Sequence, residues 1–388
     1  MRYFEGYRCS SCGREVPAGT PAGECPLCSS PMLGVYDLAL VRRNTTRDEF
    51  FRAKGGGVWD FGHLLPDFPE KISLGEGWTP HLRADRLGRT VDAPELYIKD
   101  EGLNPTGSFK ARGMAVAVSR LLDLGIGSAC LPSAGNAALA LSAYGAAARI
   151  DVKLFLPSSA PAGFAEECRA YGAEVDVVPG ILPDASRRME ESIRDRRGLL
   201  STFREPCRVE GKKTIAFEIE AALGSVDWII FPTGGGTGVV AIWKAYKEIE
   251  ELGWLRGGKP RMAVVQATGC APLVRAFESG AETAKPWSEP ETAACGICVP
   301  SSRADALVLE ALRESGGAAI AVEDNEIMRA AAEISTLEGV LPSPEGAATW
   351  AGLKGFFGLG TINPSDRIVL VNTAGGIRYR FLLEPYAR

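Results

Sequence analysis

Histidine is almost missing from this chain. His63 and His81 are the only two among 388 residues, so imidazole chemistry is confined to two places. Long apolar runs are missing as well: the longest weakly polar stretch, residues 137–148, is too short and too rich in alanine to span a bilayer. Behind Met1-Arg2-Tyr3-Phe4-Glu5 there is no apolar signal-peptide core, and a cytoplasmic location is expected. There is no excess of positive charge. Lys and Arg number 43 against 48 Asp and Glu, for a net charge of -5, which argues against nucleic acid as a partner because phosphate binding needs a basic face. Internal repeats, low-complexity tracts and long Gly/Ser linkers are absent too.

What is present is the composition of a soluble globular protein, 46% hydrophobic and 23% charged. The length suits two domains and a small extra module. Short apolar runs at residues 96–99, 128–131, 153–156, 174–178, 228–231, 262–266 and 368–371 read as strands. Between them, helical periods fall at 108–124, 136–148, 162–171, 184–197, 212–223, 238–252, 271–278, 325–337 and 345–357. This alternation predicts an open, mostly parallel α/β architecture, which places ligands at the carboxyl ends of its strands. Residues 35–75 read as a connector anchored by Tyr36, Phe50, Phe51, Trp59 and Phe61.

Four of the ten cysteines form two close pairs, Cys9-x2-Cys12 and Cys25-x2-Cys28, twelve residues apart. Each pair can set two thiolates on one knuckle turn, and two knuckles complete a tetrahedral zinc site. Four protein ligands leave no open position, so the expected metal is structural. Cys295-x2-Cys298 has the same local spacing but no partner pair, and no metal is assigned there.

The segment Asn104-Pro105-Thr106-Gly107-Ser108-Phe109-Lys110-Ala111-Arg112-Gly113 is the most informative. Pro105 and Gly107 predict a turn, Ser108 a helix cap, and Lys110 a place in the first helical turn at the ligand end of the sheet. A lysine there can be partly desolvated and form an imine with an aldehyde. Alone, it would pass for a surface lysine.

This segment resembles the lysine motif of the fold-type-II pyridoxal phosphate (PLP) family, which includes threonine synthases, serine and threonine dehydratases and cysteine synthases. The resemblance runs from Leu74 to Tyr379. It is densest at Leu74-Gly75-Glu76-Gly77-Trp78-Thr79-Pro80, at the lysine motif, at Pro132-Ser133-Ala134-Gly135-Asn136, at Pro232-Thr233-Gly234-Gly235-Gly236-Thr237-Gly238 and at Asn372-Thr373-Ala374-Gly375-Gly376. The first element and the cysteine ribbon look most like ribbon-bearing threonine synthases of archaea and bacteria. The implied fold is α/β and tryptophan synthase beta-like: two open α/β domains with the cofactor between them, plus an N-terminal zinc ribbon. The corresponding division is a ribbon at 1–34, a connector and first part of the large domain at 35–105, a small substrate domain at 106–205 and a large PLP domain at 206–388.

Under the resemblance, Lys110 carries PLP as a Schiff base and later moves protons as a free amine. Gly234, Gly235, Gly236, Thr237 and Gly238 cradle the cofactor phosphate with backbone N–H groups. Asn136 meets the ring hydroxyl, although an Asn there also suits a plain helix cap. Thr373 meets the ring nitrogen, and Ser133 and Gly135 offer donors to a substrate carboxylate. Arg208 and Lys213 belong to Arg208-Val209-Glu210-Gly211-Lys212-Lys213-Thr214, whose charges can serve a substrate phosphate or a domain interface. The implied activity is that of a PLP-dependent lyase: phosphate leaves O-phospho-L-homoserine, water adds, and L-threonine forms. The implied assembly is a homodimer. Three positions depart from the threonine synthase pattern. Ala111 stands where Asp is usual, and Ala134 and Ala137 stand where hydroxyl residues are common. A serine or threonine ammonia-lyase, a phosphoserine-dependent β-replacement enzyme resembling cysteate synthase, and a non-catalytic PLP-fold protein therefore stay open.

Overall fold

Short apolar runs closed by Gly, Pro or Asn give twelve strands among the described residues. The computed structural model describes residues 2–21, 23–161, 163–192 and 198–386. In chain order the strands are β1 (Phe4–Cys9), β2 (Glu15–Pro17), β3 (Met32–Tyr36), β4 (His81–Arg83), β5 (Leu96–Asp100), β6 (Ser128–Pro132), β7 (Asp151–Pro157), β8 (Glu174–Val178), β9 (Trp228–Pro232), β10 (Arg261–Ala267), β11 (Ala318–Val322) and β12 (Ile368–Asn372). The chain divides into two units. The first holds Met1–Trp78, Asn104–Glu218 and Glu251–Trp254; the second holds Thr79–Leu103, Ile219–Glu250 and Leu255–Arg388.

The first unit carries two small sheets. One is an antiparallel ribbon in the order β2-β1-β3, and the other is parallel in the order β6-β7-β8. Behind the parallel sheet, Cys130, Phe155, Val178, Ala185, Met189 and Leu199 form one buried cluster. Helix Lys110–Asp123 packs against helices Asn136–Ala148 and Cys207–Lys212. The connector is held by its aromatics: Phe50 meets Phe51, Phe61, Phe217 and Trp254 at ring-centroid distances of 5.0, 5.4, 5.1 and 5.2 Å. Such tilted and edge contacts favour aromatic pairs beyond their burial.

The second unit is built on a six-stranded sheet, β11-β10-β9-β12-β5-β4, parallel except for the edge pair β4–β5. Strands β9 and β12 are central and buried at every position, as a sheet covered on both faces requires. Helix Asp324–Glu338 starts on a Glu323/Glu326 capping box and stops at Gly339, whose φ of 71° only glycine adopts at little cost. Helix Pro344–Gly358 starts with proline at its first position and with Ser343 accepting from the Gly346 N–H.

Every strand expected from sequence forms; the one at 174–178 keeps its bounds, and the other six are lengthened by one to three residues. The ribbon strands, β4 and β11 were not expected. β11 is the alanine-rich segment Ala-Ala-Ile-Ala-Val, which carries little intrinsic strand preference. Helix Asp305–Glu314 was also missed, and the expected helix at 212–223 is two helices, Cys207–Lys212 and Thr214–Leu223. Of the helices expected at 162–171 and 184–197, Ala162 and residues 193–197 lie outside the described residues.

Candidate active site

In the first unit, the turn at Pro105–Gly107 precedes helix Lys110–Asp123. The expected cap at Ser108 is not formed. Its backbone is extended at φ -160° and ψ 160°, and its buried hydroxyl has no hydrogen-bond partner among the described residues. The Ala111 N–H donates instead to the Ser108 carbonyl at 3.2 Å. A helix start that spends its serine side chain on no backbone donor leaves that hydroxyl for something else. Two residues on, Lys110 is half-buried, with its ammonium 4.1 Å from the centre of the Phe109 ring.

The lysine turn packs on helix Asn136–Ala148. That helix follows the carboxyl end of β6, and Asn136 is its first residue. Ser133 is 6% exposed, and its Oγ accepts from the N–H groups of Gly135 and Ala138 at 3.1 and 3.2 Å. The Gly135 N–H is thus already used within the turn, whereas the Ser133 proton is still available to a ligand. Gly135 has φ 144°, and an added Cβ would lie 2.8 Å from the Phe164 ring, so no other residue fits. Ala111 is fully buried and Ala137 is 8% exposed; of the three departing alanines, Ala134 sits in the half-buried turn.

Sequence reasoning passed over a buried polar layer beside this helix start. The Glu76 carboxylate accepts from the Tyr144 hydroxyl at 2.5 Å and from the Leu74 N–H at 2.9 Å, and burial pushes its carboxyl up. The Gly77 N–H donates to Asn104 Oδ1 at 3.0 Å, tying the Leu74–Trp78 stretch to the lysine turn. Arg112 and Glu218, both fully buried, form a bidentate pair. Lys212 is the other omission. It is fully buried, donates to the Arg208 carbonyl at 3.0 Å, and shares the Phe109 ring with Lys110 at 5.7 Å. Burial, Arg208 and Lys110 hold its amine well below the ordinary lysine range. In the sequence it reads as the start of the helix expected at 212–223, which gives no sign of burial.

Arg208 and Lys213 are drawn inward as well. Arg208 donates to the Leu200 carbonyl, its Nε has no partner among the described residues, and burial pushes it down to about 10. Lys213 pairs with Glu210 at 2.8 Å and lies 3.9 Å from the Tyr36 ring centre. Glu210 also accepts from the Gly34 N–H at 3.0 Å and the Tyr36 hydroxyl at 2.8 Å, so this group joins β3 to helix Cys207–Lys212.

In the second unit, the glycine run follows β9 and Thr373 follows β12. These are neighbouring strands, so both lie at one carboxyl edge of the sheet. The run opens helix Thr237–Glu251. Gly236 has φ 82°, and an added Cβ would meet Val308 at 2.3 Å; at Gly238 it would meet Phe231 at 2.2 Å. The Ser302 hydroxyl holds the Gly235 carbonyl at 3.0 Å. Among the described residues the N–H groups of Gly234, Gly235 and Gly236 donate to no other protein group. Thr373 is 5% exposed, and its hydroxyl makes no hydrogen bond among those residues. A fixed loop with unspent donors at a helix start, beside the unspent hydroxyl of a buried threonine, fits a phosphorylated ring better than it fits packing alone.

In the ribbon, the Sγ atoms of Cys9, Cys12, Cys25 and Cys28 all lie within 4.8 Å of one another. Cys9–Cys28 and Cys12–Cys25 are 3.4 and 3.5 Å apart. The N–H groups of Ser11 and Cys12 point at Cys9 Sγ at 3.4 Å each. Four sulfurs around zinc at about 2.3 Å would stand about 3.8 Å apart, close to this arrangement. Among the described residues no helix is long and apolar enough to cross a membrane.

Comparison with known proteins bears on the same segments. A family model described as "Pyridoxal-phosphate dependent enzyme" matches residues 72–374. Threonine synthase of Methanosarcina acetivorans is 35% identical over 369 residues, covering 94% of this chain and 90% of that protein. Threonine synthase of Methanocaldococcus jannaschii is 35% identical over 376 residues, covering 96% and 92%. Among solved structures, maize serine racemase superposes with a TM-score of 0.68 at 20% identity, over 79% of this chain and 91% of that one. The processed form of threonine deaminase isoform 2 from Solanum lycopersicum gives 0.66 at 21% identity, over 79% and 86%. At that identity, the structural likeness speaks for the fold.

Proposed function

The chain belongs to the pyridoxal-phosphate dependent enzyme family, and from that premise we propose that it converts O-phospho-L-homoserine and water to L-threonine and phosphate. The observation that carries this reading is the reach of its likeness to the two archaeal threonine synthases. A match over 96% of the chain is too long to leave out residues 1–34 altogether. The α/β class and the lyase character follow from the same likeness.

Pyridoxal phosphate, when bound, supplies an electron sink for charge that develops beside the amino-bearing carbon. The chain's own groups do the rest. Lys110 holds the cofactor aldehyde and afterwards, as a free amine, takes and returns protons at the substrate carbons; with histidine so scarce, a lysine in this role fits the composition. The N–H groups of residues 234–238 hold the phosphate, and the Thr373 hydroxyl faces the ring nitrogen. A hydroxyl cannot keep that nitrogen protonated as a carboxylate would, which favours elimination over transamination. Asn136 orients the ring hydroxyl. Ser133 donates to the substrate carboxylate, with Gly135 shaping the turn that holds it. Arg208 is the cation nearest in character to a substrate-phosphate ligand, since its Nε is unspent; Lys213 braces β3 through Glu210. The four ribbon cysteines hold one structural zinc ion. A cytoplasmic homodimer completes the reading.

The test is a panel of amino acids scored for phosphate and for 2-oxoacid, with borohydride trapping on the same preparation. Phosphate release and threonine from O-phospho-L-homoserine are expected, with the trapped cofactor on the Lys110 peptide. Oxoacid from serine or threonine without phosphate release would replace this reaction with an ammonia-lyase. Trapping on a different lysine would remove the assignment of Lys110.

A further inference from the structure

Helix Cys207–Lys212 has only six residues, too few to hold a helix by themselves, so its neighbours set where it lies. Cys207 and Glu210, three residues apart, share one side of it, and that side belongs to the ribbon. The Tyr7 hydroxyl and the Cys207 thiol are hydrogen-bonded at 3.2 Å, and the Glu210 carboxylate takes the Gly34 N–H and the Tyr36 hydroxyl. A second route reaches the start of the helix. The Cys207 N–H donates to Glu205 at 2.9 Å, and Glu205 pairs with Arg120 at 2.7 Å. Arg120 in turn donates to the Thr20 carbonyl at 2.7 Å and lies 4.9 Å from the centre of the Tyr7 ring. Arg208, Gly211 and Lys212 meet the Lys110 helix instead. A Cβ added to Gly211 would lie 2.1 Å from the Arg112 carbonyl oxygen. One added to Gly113 would lie 2.8 Å from the Arg208 carbonyl oxygen and 3.0 Å from Lys212 Nζ. The two backbones touch, and a close-packed contact passes a shift on instead of absorbing it. All these residues lie in the first unit, and Tyr7, Tyr36, Cys207, Arg208 and Glu210 are buried.

We propose that the ribbon positions Arg208 for a phosphate-bearing substrate, with Tyr7, Tyr36 and Glu210 as the positioning residues. The inference rests on the reading of Arg208 as the ligand of the substrate phosphate. None of the three touches the substrate. Tyr7 fixes the helix at Cys207, and the last ribbon strand, through Tyr36, fixes it at Glu210. Arg208 stands between these two points and keeps its direction. Loss of both hydroxyls frees the short helix to turn on its contact with Gly113, and a charge-assisted hydrogen bond to phosphate weakens when its donor turns away. Lys110 and the glycine run are on other elements, so cofactor retention is unaffected.

The full-length enzyme with cofactor bound is compared as wild type, Tyr7→Phe, Tyr36→Phe and the double variant. Glu210→Ala would strand the buried Lys213, so the hydroxyl deletions carry the test. Two probes are titrated: inorganic phosphate, as a competitive inhibitor, and L-threonine, which lacks phosphate and is followed by cofactor absorbance. In the double variant the KM for O-phospho-L-homoserine and the inhibition constant of phosphate should rise together roughly tenfold, about 1.4 kcal/mol, with kcat nearly unchanged. The affinity for L-threonine and the dissociation constant of the cofactor should stay at their wild-type values. Each single variant should show a smaller rise. A purely structural role would lower Tm without separating the two probes. An unchanged inhibition constant in the double variant overturns the proposal, and so does an equal weakening of phosphate and L-threonine. A wild-type enzyme that ignores inorganic phosphate strikes the reading of Arg208 itself, before any variant is compared, and this inference falls with it.

Discussion

The charged residues that matter most here are the ones water does not reach. Arg112 and Glu218 are both fully buried and satisfied by one another and by Thr214, whose Oγ1 lies 2.9 Å from Arg112. Arg112→Met keeps much of the volume and strands a carboxylate, a change that costs about 3–5 kcal/mol. Urea denaturation should show it as a lower midpoint at unchanged slope, and a loss below about 1 kcal/mol would contradict the pairing. Lys212 behaves in the opposite sense. Its amine is held below the ordinary lysine range by burial first, then by Arg208 and Lys110. Glu210 faces Lys213 and Glu218 faces Arg112, so neither offsets this. The unfolded chain therefore binds more protons at this residue than the folded one over the interval below about 10.4. The contribution of Lys212 to stability is complete above that value and is lost as pH falls. Wild type should gain on Lys212→Met between pH 7 and pH 10 in paired thermal melts. A constant difference in Tm would mean that the amine is charged in the fold.

Individual elements were legible wherever local chemistry decided them. The glycine run, the turn at Pro105–Gly107 and the helix beginning at Asn136 each combine a strand end, a special backbone position and a helical period. What could not be read was decided by distant partners. Ser108 was expected to cap because serine at a helix start usually does, but the helix begins two residues later and leaves the hydroxyl unspent. The segment around Lys213 gives no sign of its surroundings, and only the fold brings Glu210 and Tyr36 around that ammonium. The glycine run is where local geometry makes the sharpest demand. Gly236→Ala forces a left-handed backbone on alanine and brings its methyl to 2.3 Å from Val308, a strain of about 1–3 kcal/mol. Weaker retention of pyridoxal phosphate is expected, measured by fluorescence titration. An unchanged dissociation constant would mean that the loop does not hold the phosphate.

Across the whole chain, the ribbon contributes through its metal and through its last strand. One zinc per chain is expected by elemental analysis. Cys12→Ser or a strong chelator should remove it and lower Tm, because free energy of metal binding to a folded site is free energy of folding. Metal-free protein with an unchanged Tm would count against the site. The attachment of β3 has a separate consequence. Glu210 is shared by the Gly34 N–H, the Tyr36 hydroxyl and Lys213. A chain begun after Tyr36 would take two donors, the Gly34 N–H and the Tyr36 hydroxyl, from a buried acid on the helix that lies along the Lys110 helix. The ribbon is therefore no detachable appendage. A lineage could discard it only together with a compensating substitution at position 210, and relatives without the four cysteines are expected to carry a different residue there.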